Sequence, residues 1–337
     1  MRIAIDAMGG DFAPEEVVKG SVVAAKEHNV GIILVGPKDR IENELAKYDH
    51  SGLDIDIVHT DEYLAEGEHP AYALRKKRNA SILVATKLVK EGKAAAVLGA
   101  GPTGGVVAAA LQVLGTIGGI ARPVIGGAFL GFAPQTIMFD LGGNVDCRPD
   151  QLLDFAVVGT VYAQKWLNIP NPTVALLSNG AEEGKGNEVL RESYTLFKKS
   201  GLNFIGYVEG YDIPSGKANV VICDGLVGNV VVKFCEALGE TICHWLQEKL
   251  SGKLPREDIE EVVGGLLRAT NAAEVAGGGP FWAVNGVVCK AHGRSKWQEI
   301  AGAIAQAKLA VEVDLVGSLK SELELARSKL NIPNPPD

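Results

Sequence analysis

The feature that most constrains the fold of this chain is a repeated alternation of short apolar runs with longer amphipathic ones. In the first third, IAIDAM, GIILVG, IDIVHT and KAAAVLGA have the composition of strands. The intervening segments have the period of helices: one with Pro14 in its first turn, one over DRIENELAKY and one over residues 70 to 91. Strands separated by helices pair in parallel through crossovers. The pattern therefore predicts an α/β fold, an α/β/α sandwich with a mostly parallel sheet.

Strands of similar composition continue through the middle of the chain, on both sides of a helix predicted from about Leu152 to Trp166. They are PVIGGAFLGF, QTIMFDLG, TVALLSNG, FIGYVEG and ANVVICDG. Several strands end in an acid or amide close to a glycine, at Asp6, Asp140, Asn179 and Asp224. Ligands of open α/β sheets bind beyond the carboxyl ends of the strands, so we expect the functional site in these loops.

Charge and cysteine usage exclude several classes of protein. Lys and Arg number 33 against 41 Asp and Glu, and the net charge of −8 argues against general binding to nucleic acid. The five cysteines show no C-x-x-C spacing, so neither a disulfide framework nor a zinc site is indicated. Asp140 and Asp146 alone are too few ligands for Mg²⁺. We expect no metal, no cofactor, no signal peptide and a cytoplasmic location.

Residues 94 to 121 carry no charge and are long enough to cross a bilayer. Pro102 and a cluster of glycines interrupt the segment, and its composition is mostly Ala and Gly. A buried strand, a glycine turn and a buried helix account for the same residues. The sequence therefore predicts no transmembrane helix here.

The turn within that segment, Gly99 to Gly104, has the spacing G-x-G-x-x-G between a strand and a helix. A dinucleotide site also needs an acid about 20 residues later, and none occurs between Glu91 and Asp140. Free backbone N–H groups at a helix start still attract an anion. Anion binding by Gly101, Thr103 and Gly104 is one interpretation, and a tight turn packed for steric reasons is the other.

Two further strand ends carry polar groups suited to an anion. The loop Asn179 to Asn187 holds Lys185 between two glycines, but its spacing is not that of a P-loop. Such a lysine suits a phosphate or a developing oxyanion, although a solvated loop would look the same. Asn229 follows the strand ANVVIC and is either an oxyanion donor or a helix N-cap.

Two other side chains are weaker candidates for chemistry. His292 stands beside Gly293 and is either an acid/base group or a structural loop histidine. Cys147 would suit an acyl-carrying thiol, but no histidine lies near it in sequence and a lone cysteine is usually buried. The sequence contains no G-x-S-x-G elbow, so a serine hydrolase is unsupported.

Residues 234 to 271 form a pair of predicted amphipathic helices joined by SGKLP. Their apolar faces have three possible uses: the core, a dimer interface, or contact with a membrane. Lys249, Lys253 and Arg256 surround the connecting turn, and cations next to apolar helix ends suit an anionic bilayer. The periodicity alone does not choose between dimer packing and peripheral membrane contact.

Read in order, the loops resemble those of the PlsX family, the acyl-ACP:phosphate acyltransferases of bacterial phospholipid synthesis. The matching stretches span nearly the whole chain. They are DAMGGDFAP (6 to 14), ALRKKRNAS (73 to 81), GAGPTGG (99 to 105), FDLGGNVDCRP (139 to 149), NGAEEGKGN (179 to 187), CDGLVGNVVVK (223 to 233) and VNGVVCKAHG (284 to 293).

The resemblance implies a fold similar to isocitrate and isopropylmalate dehydrogenases and to phosphotransacetylase, in one domain with two lobes spanning residues 1 to 337. It implies a homodimer that associates peripherally with the membrane. The reaction would transfer a long acyl chain from acyl carrier protein to inorganic phosphate. The acyl phosphate would pass to a membrane-bound glycerol-3-phosphate acyltransferase.

With that chemistry in view, the candidate residues take roles. Phosphate, held by the helix start at residues 101 to 104 and by Lys185, would attack the thioester directly. Asn229 and nearby N–H groups would stabilise the oxyanion. The candidate catalytic residues are Lys185, Asn229 and His292, and the candidate phosphate-binding residues are Gly101, Thr103, Gly104 and Asn187. A basic cluster would steer the acidic carrier protein, unless it is only a solvated helix face. It consists of Arg75, Lys76, Lys77 and Arg78.

Three rival functions remain open at this point. A phosphotransacetylase-like enzyme using acyl-CoA would share the phosphate chemistry. A non-catalytic scaffold of lipid synthesis would use the helix pair and have no active site. A dehydrogenase is weakened by the missing acid after the glycine turn.

Overall fold

The computed structural model describes residues 1–330 except 66, 69, 119, 121 and 273–277. The chain forms two compact units. Unit 1 comprises Met1–Ile117 and Ala276–Gly317, and unit 2 comprises Gly118–Val275 and Ser318–Asp337. The tail NIPNPPD, which the sequence predicts as a frayed terminus, lies outside the described residues.

Unit 1 is built on a six-stranded sheet whose strands are numbered along the chain. They are β1 (Arg2–Asp6), β2 (Gly31–Gly36), β3 (Ile55–His59), β4 (Ala96–Gly99), β10 (Gly279–Phe281) and β11 (Val287–Lys290). The order is β10-β11-β4-β1-β2-β3, and all neighbours run parallel except β10 and β11. Every residue of β2 and β4 is buried, as continuous apolar strands of a covered parallel sheet should be.

Helices pack around this sheet. They are α1 (Glu15–His28), α2 (Lys38–Leu45), α3 (Pro70–Lys76), α4 (Ser81–Lys90), α5 (Thr103–Val113) and α10 (Trp297–Glu312). The prediction of one helix over residues 70 to 91 is wrong, because the segment breaks between α3 and α4. Glu62 causes the break: its side chain accepts the Asn79 N–H and its carbonyl accepts the Ser81 N–H, both at 2.8 Å. Those two amides therefore bond outside a continuous helix.

Unit 2 is built on a second, five-stranded sheet. Its strands are β5 (Gly126–Gly127), β6 (Ile137–Phe139), β7 (Val174–Leu177), β8 (Phe204–Val208) and β9 (Val220–Ile222). The order is β5-β6-β9-β7-β8, with only β5 antiparallel. The strand predicted over residues 123 to 132 is wrong in length, because only the two residues of β5 are extended within the sheet. The chain leaves the sheet after Gly127, and the Gly131 N–H bonds to the Ala269 carbonyl.

The helices of unit 2 are α6 (Pro149–Lys165), α7 (Glu188–Ser200), α8 (Gly225–Leu250) and α9 (Arg256–Thr270). A last helix, α11 (Leu315–Leu330), begins at the end of unit 1 and continues into unit 2. The predicted mostly parallel α/β architecture is confirmed, as two sheets flanked by helices. The segment 94 to 121 contains β4, a turn and α5, as predicted. None of the helices that the structure describes combines the length and apolar composition needed to cross a bilayer.

The predicted helix pair corresponds to α8 and α9, joined by residues 251–255. Cys243 of α8 packs with Ile259 and Val263 of α9 in a small core of its own. Most of the apolar face predicted for α8 is exposed in the chain. We call this surface the α8 stripe; it consists of Leu226, Val230, Phe234, Leu238, Ile242 and Trp245. Of the three uses that the sequence leaves open for this face, packing in the core of the chain therefore does not account for the α8 stripe.

Candidate active site

A polar cavity of unit 1 lies at the carboxyl ends of β1, β4 and β11, where the fold places ligands. Its volume is about 480 Å³. The loop after β4 contributes Gly101 and Thr103, and the loop after β11 contributes Lys290 and His292. Three of the candidate residues, Gly101, Thr103 and His292, therefore line one cavity.

The start of α5 supplies backbone donors to this cavity. Pro102 is the N-cap residue and offers no side-chain cap. The Gly105 N–H donates to the Pro102 carbonyl at 2.8 Å, whereas among the described residues no acceptor meets the N–H groups of Thr103 and Gly104. Both of these residues are exposed. Uncapped amides at the positive end of a helix are suited to an anion, which is one of the two interpretations of this turn that the sequence leaves open.

A close approach of two glycines holds the floor of the cavity together. A Cβ built on Gly9 would lie 2.6 Å from the Gly101 nitrogen and 2.9 Å from Asp6 Oδ2. Asp6 is buried, and its Oδ1 accepts the Met8 N–H at 3.1 Å. Burial raises the pKa of Asp6 to about 6, although backbone hydrogen bonds oppose the shift. Only glycine at position 9 allows the loops after β1 and β4 to touch.

Lys290 is a cavity residue that the sequence reasoning missed. It is the last residue of β11, and its Cα pairs with that of Gly99 on β4. Its ammonium donates to the Ala291 carbonyl. Burial lowers the pKa of Lys290 to about 8, and the nearby Asp11 carboxylate opposes this. The only signal in the sequence is a lysine that directly ends the buried run Val287-Val288-Cys289.

In unit 2, the loop after β6 is organised by Asp140. The Asp140 carboxylate is fully buried, and its Oδ1 accepts the Gly142 and Gly143 N–H groups at 3.0 and 2.9 Å. Asn144 Nδ2 donates to the other carboxylate oxygen at 2.6 Å. Burial raises the pKa of Asp140, and these hydrogen bonds oppose the shift. The hydrogen-bonding capacity of the Asp140 side chain is therefore used to stabilise the loop after β6.

Asn229 lies on the first turns of α8, next to that loop. The N-cap of α8 is Asp224, whose side chain accepts the Val227 N–H at 2.9 Å, so Asn229 does not fill the capping role. Its side chain is exposed, and its Oδ1 would lie 3.4 Å from a Cβ on Gly142. Gly228 permits this packing, because a Cβ there would lie 1.8 Å from the Asp140 carbonyl. The amide of Asn229 is therefore available at the carboxyl edge of the second sheet.

The loop after β7 carries Lys185 and Asn187. Asn179 closes this loop, since its Oδ1 accepts the Gly186 N–H at 3.1 Å. Lys185 is exposed, and its aliphatic stem passes over Gly180. Asn187 is the N-cap of α7 and its Oδ1 accepts the Leu190 N–H at 2.9 Å. Within the side chain of Asn187, the NH₂ group is therefore the part that can donate to an anion.

Cys147 lies in a setting unsuited to a nucleophile. Burial, reinforced by the carboxylates of Asp140 and Asp224, raises the pKa of its thiol to about 11. The thiolate is the reactive form of cysteine, so little of it exists at neutral pH. Across the described residues, no group of three or more His, Cys, Asp or Glu side chains is arranged to hold a metal ion.

The predicted basic cluster, residues 75 to 78, lies at the end of α3 and in the turn before α4. Two of its members are engaged within the protein. Lys77 pairs with Glu68 at 2.7 Å, and the Lys76 ammonium lies 4.5 Å from the ring centroid of Tyr72. The arginines Arg75 and Arg78, both exposed, line an open hollow to which Lys87 of α4 adds a third cation.

Comparisons with known proteins agree with this arrangement of strands and loops. A family model described as "Fatty acid synthesis protein" matches residues 1–317. The chain is 44% identical to the phosphate acyltransferase of Pelotomaculum thermopropionicum, over 96% of this chain and 95% of that protein. It is also 44% identical to the phosphate acyltransferase of Desulforamulus reducens, with coverage of 96% and 98%. A phosphotransacetylase from Streptococcus pyogenes has a similar fold, with a TM-score of 0.60 at 19% identity and coverage of 96% and 94%.

Proposed function

The chain belongs to the PlsX family of phosphate acyltransferases, and on that premise we propose that it transfers a long-chain acyl group from acyl carrier protein to inorganic phosphate. The product is an acyl phosphate for phospholipid synthesis. The observation that carries the proposal is the unit 1 cavity, which is lined by Lys290, Arg40 and Thr103, the residue that starts α5 with an uncapped N–H. These groups suit a small, doubly charged anion.

The reaction proceeds by direct attack on the thioester. A phosphate oxygen forms a C–O bond with the acyl carbonyl carbon, the C–S bond breaks, and the sulfur leaves as a thiolate that takes up a proton. Phosphate is already anionic at pH 7, so no strong general base is required. The raised pKa of Cys147 argues against a route through an acylated cysteine.

The remaining candidates take one role each in this scheme. Lys185 helps to hold the phosphate, and together with Asn229 it neutralises the negative charge that develops in the reaction. His292 protonates the departing thiolate. Loss of one such oxyanion donor lowers kcat by about 10² to 10³. The NH₂ of Asn187 is a further donor for phosphate. Near-normal turnover in both Lys185→Ala and Asn229→Ala would refute these two assignments.

The cations around the hollow of unit 1 support acyl carrier protein as the donor. Arg75 and Arg78 are exposed, and Lys87, whose ammonium donates to the Arg78 carbonyl at 3.0 Å, lies beside them in the same hollow, whereas Lys76 and Lys77 are engaged elsewhere. The cations of the hollow steer an acidic partner despite the net charge of the chain. We expect Arg75→Glu combined with Arg78→Glu to raise KM for the acyl carrier protein and leave KM for phosphate unchanged. A carrier-protein on-rate that does not depend on salt would count against this docking site.

The α8 stripe supports a homodimer, peripheral contact with the membrane, or both. Dimer packing would cover the stripe with a second copy of the chain, whereas membrane contact would use Leu254 and the cations around the turn between α8 and α9. Light scattering at several concentrations tests the dimer. Liposome flotation, with and without charge reversal at Lys249 and Lys253, tests the membrane contact. Peripheral association would bring the acyl phosphate to a membrane-bound glycerol-3-phosphate acyltransferase.

One assay separates this function from its rivals. The protein is incubated with palmitoyl carrier protein and phosphate, and the product is trapped with hydroxylamine as a hydroxamate. Hydroxamate that depends on both substrates supports the proposal. Turnover with acetyl-CoA alone would indicate a phosphotransacetylase. Binding to liposomes with no hydroxamate from any donor would indicate a scaffold.

A further inference from the structure

The cation at the end of β11 has no part in the scheme derived from sequence. Lys290 is partly buried at the carboxyl edge of the first sheet, opposite Gly99 across the β4–β11 ladder. The same ladder continues past the strand end, because the Ala291 N–H donates to the Gly99 carbonyl at 3.1 Å. The side chain of Lys290 is therefore carried on a rigid element directly beside the turn that starts α5.

Lys290 retains capacity to bind an anion in this cavity. An ammonium has three N–H donors, and the structure shows one of them on the Ala291 carbonyl. Arg40 of α2 adds a second cation to the cavity wall, whereas Asp11, in the loop after β1, is the carboxylate that lines it. The lining of this cavity is therefore more positive than the surface of an acidic protein would suggest.

We propose that Lys290 is a phosphate-binding residue of the active site, fixing the attacking anion against the N–H groups of Thr103 and Gly104. The inference rests on the proposed function for the identity of the anion. Its geometric basis is that Lys290, on a strand end, and Thr103, at an uncapped helix start, line one cavity of about 480 Å³, and the uncapped Gly104 follows Thr103 in the same turn. Lys290 thus binds phosphate, the acceptor of the acyl group, and makes no contact with the carbonyl of the acyl donor.

Burial makes this binding sensitive to pH. The pKa of Lys290 is lowered to about 8 by burial, so its positive charge is present below that pH and lost above it. The charged and titratable groups that line the same cavity are Asp11, Arg40, Tyr63 and His292. Phosphate itself stays doubly charged above pH 8, so a loss of affinity in that range reflects a change of charge on the protein. We expect the affinity for phosphate to fall as the pH rises through about 8.

The test measures binding of inorganic phosphate by calorimetry, with no acyl donor present, for the wild type, Lys290→Met and Lys290→Arg. The methionine variant keeps the stem and removes the charge, and it should bind phosphate about 10- to 100-fold more weakly, the loss expected for one hydrogen bond to a charged group. The arginine variant should recover most of the affinity and lose the decline above pH 8. The control is Lys93→Met, which removes an exposed lysine of the same unit that pairs with Glu91.

In the activity assay, Lys290→Met should raise KM for phosphate and leave KM for the acyl donor unchanged. Wild-type affinity in Lys290→Met, or a wild-type affinity that is flat from pH 7 to 9.5, would overturn the inference, as would a wild type that binds no phosphate. If Lys290→Met fails to fold by circular dichroism, the arginine variant and the wild-type pH profile still decide. Phosphate binding without release of acyl phosphate would refute the proposed function and leave the role of Lys290 standing.

Discussion

Replacing Gly9 by alanine tests whether contact between the loops after β1 and β4 shapes the anion site. A Cβ at position 9 would lie 2.6 Å from the Gly101 nitrogen, and ordinary contact begins at 3.4 Å. One of the two backbones must therefore move by about 0.8 Å, the difference between these distances. Overpacking of this kind lowers the free energy of unfolding by about 1–3 kcal/mol. A displacement near 1 Å at a reacting group lowers activity by as much as about 10²-fold.

The assay follows release of acyl phosphate at varied phosphate concentration, together with urea unfolding of the same variant. We expect KM for phosphate to rise, because the shift moves Gly101 and the amides that follow it, whereas KM for the acyl donor stays within twofold. The matched control is Gly210→Ala, where an added Cβ meets no atom within 4 Å, and it should change stability by less than about 0.5 kcal/mol. Normal stability and a normal KM for phosphate in Gly9→Ala would refute this account of the cavity floor.

Three further predictions concern ionisable side chains of the chain. Cys147→Ser should keep near-normal kcat, because the thiol is protonated at neutral pH; a loss above tenfold would indicate an acylated cysteine. Arg327→Met should lower the free energy of unfolding by about 3–5 kcal/mol, since it leaves buried Asp154 without its cation. That loss should shrink below pH 6, where Asp154, whose pKa burial raises to about 6, takes up a proton; a pH-independent loss in urea titrations would contradict the pairing. Asp6→Asn should raise the free energy of unfolding at pH 7 by up to about 3 kcal/mol, because in the wild type stability falls as the pH rises from about 4 to 6; equal stability at pH 7 would contradict a raised pKa.

The strands and most helices were predictable because their signals are local. The run GIILVG and the strand β2 share the same bounds, Gly31–Gly36, since a buried parallel strand is continuously apolar. The break between α3 and α4 was not predictable, because Glu62, which takes the two amides, is 17 residues from Asn79. Helical periodicity describes which face is apolar and carries no information about a distant acceptor. The shortening of the strand at β5 has the same cause, a hydrogen bond to Ala269 at the end of α9.

The candidate site shows the same division between local and distant causes. The glycine turn before α5 was recognisable, because its spacing is a local requirement of a tight approach. Lys290 was not recognisable as a site residue, because a lysine that ends a buried strand is usually solvated. Its partial burial depends on the cavity formed with the loops after β1 and β4. For Asn229, the sequence left both helix capping and an oxyanion role open. The structure assigns the cap to Asp224, five residues earlier, and so removes capping as the explanation for the asparagine.

The order in which the strands of unit 1 occur along the chain has a consequence for biosynthesis. The ribosome delivers β4 long before β11, its partner in the first sheet, because all of β5 to β9 is made in between. Until β11 emerges, the buried apolar strand Ala96–Gly99 has an open edge of the kind that recruits other chains. Completion of this sheet therefore waits for late translation. A nascent chain stalled before β11 should aggregate or recruit a chaperone, and the cation that ends β11 is among the last parts of the cavity to arrive.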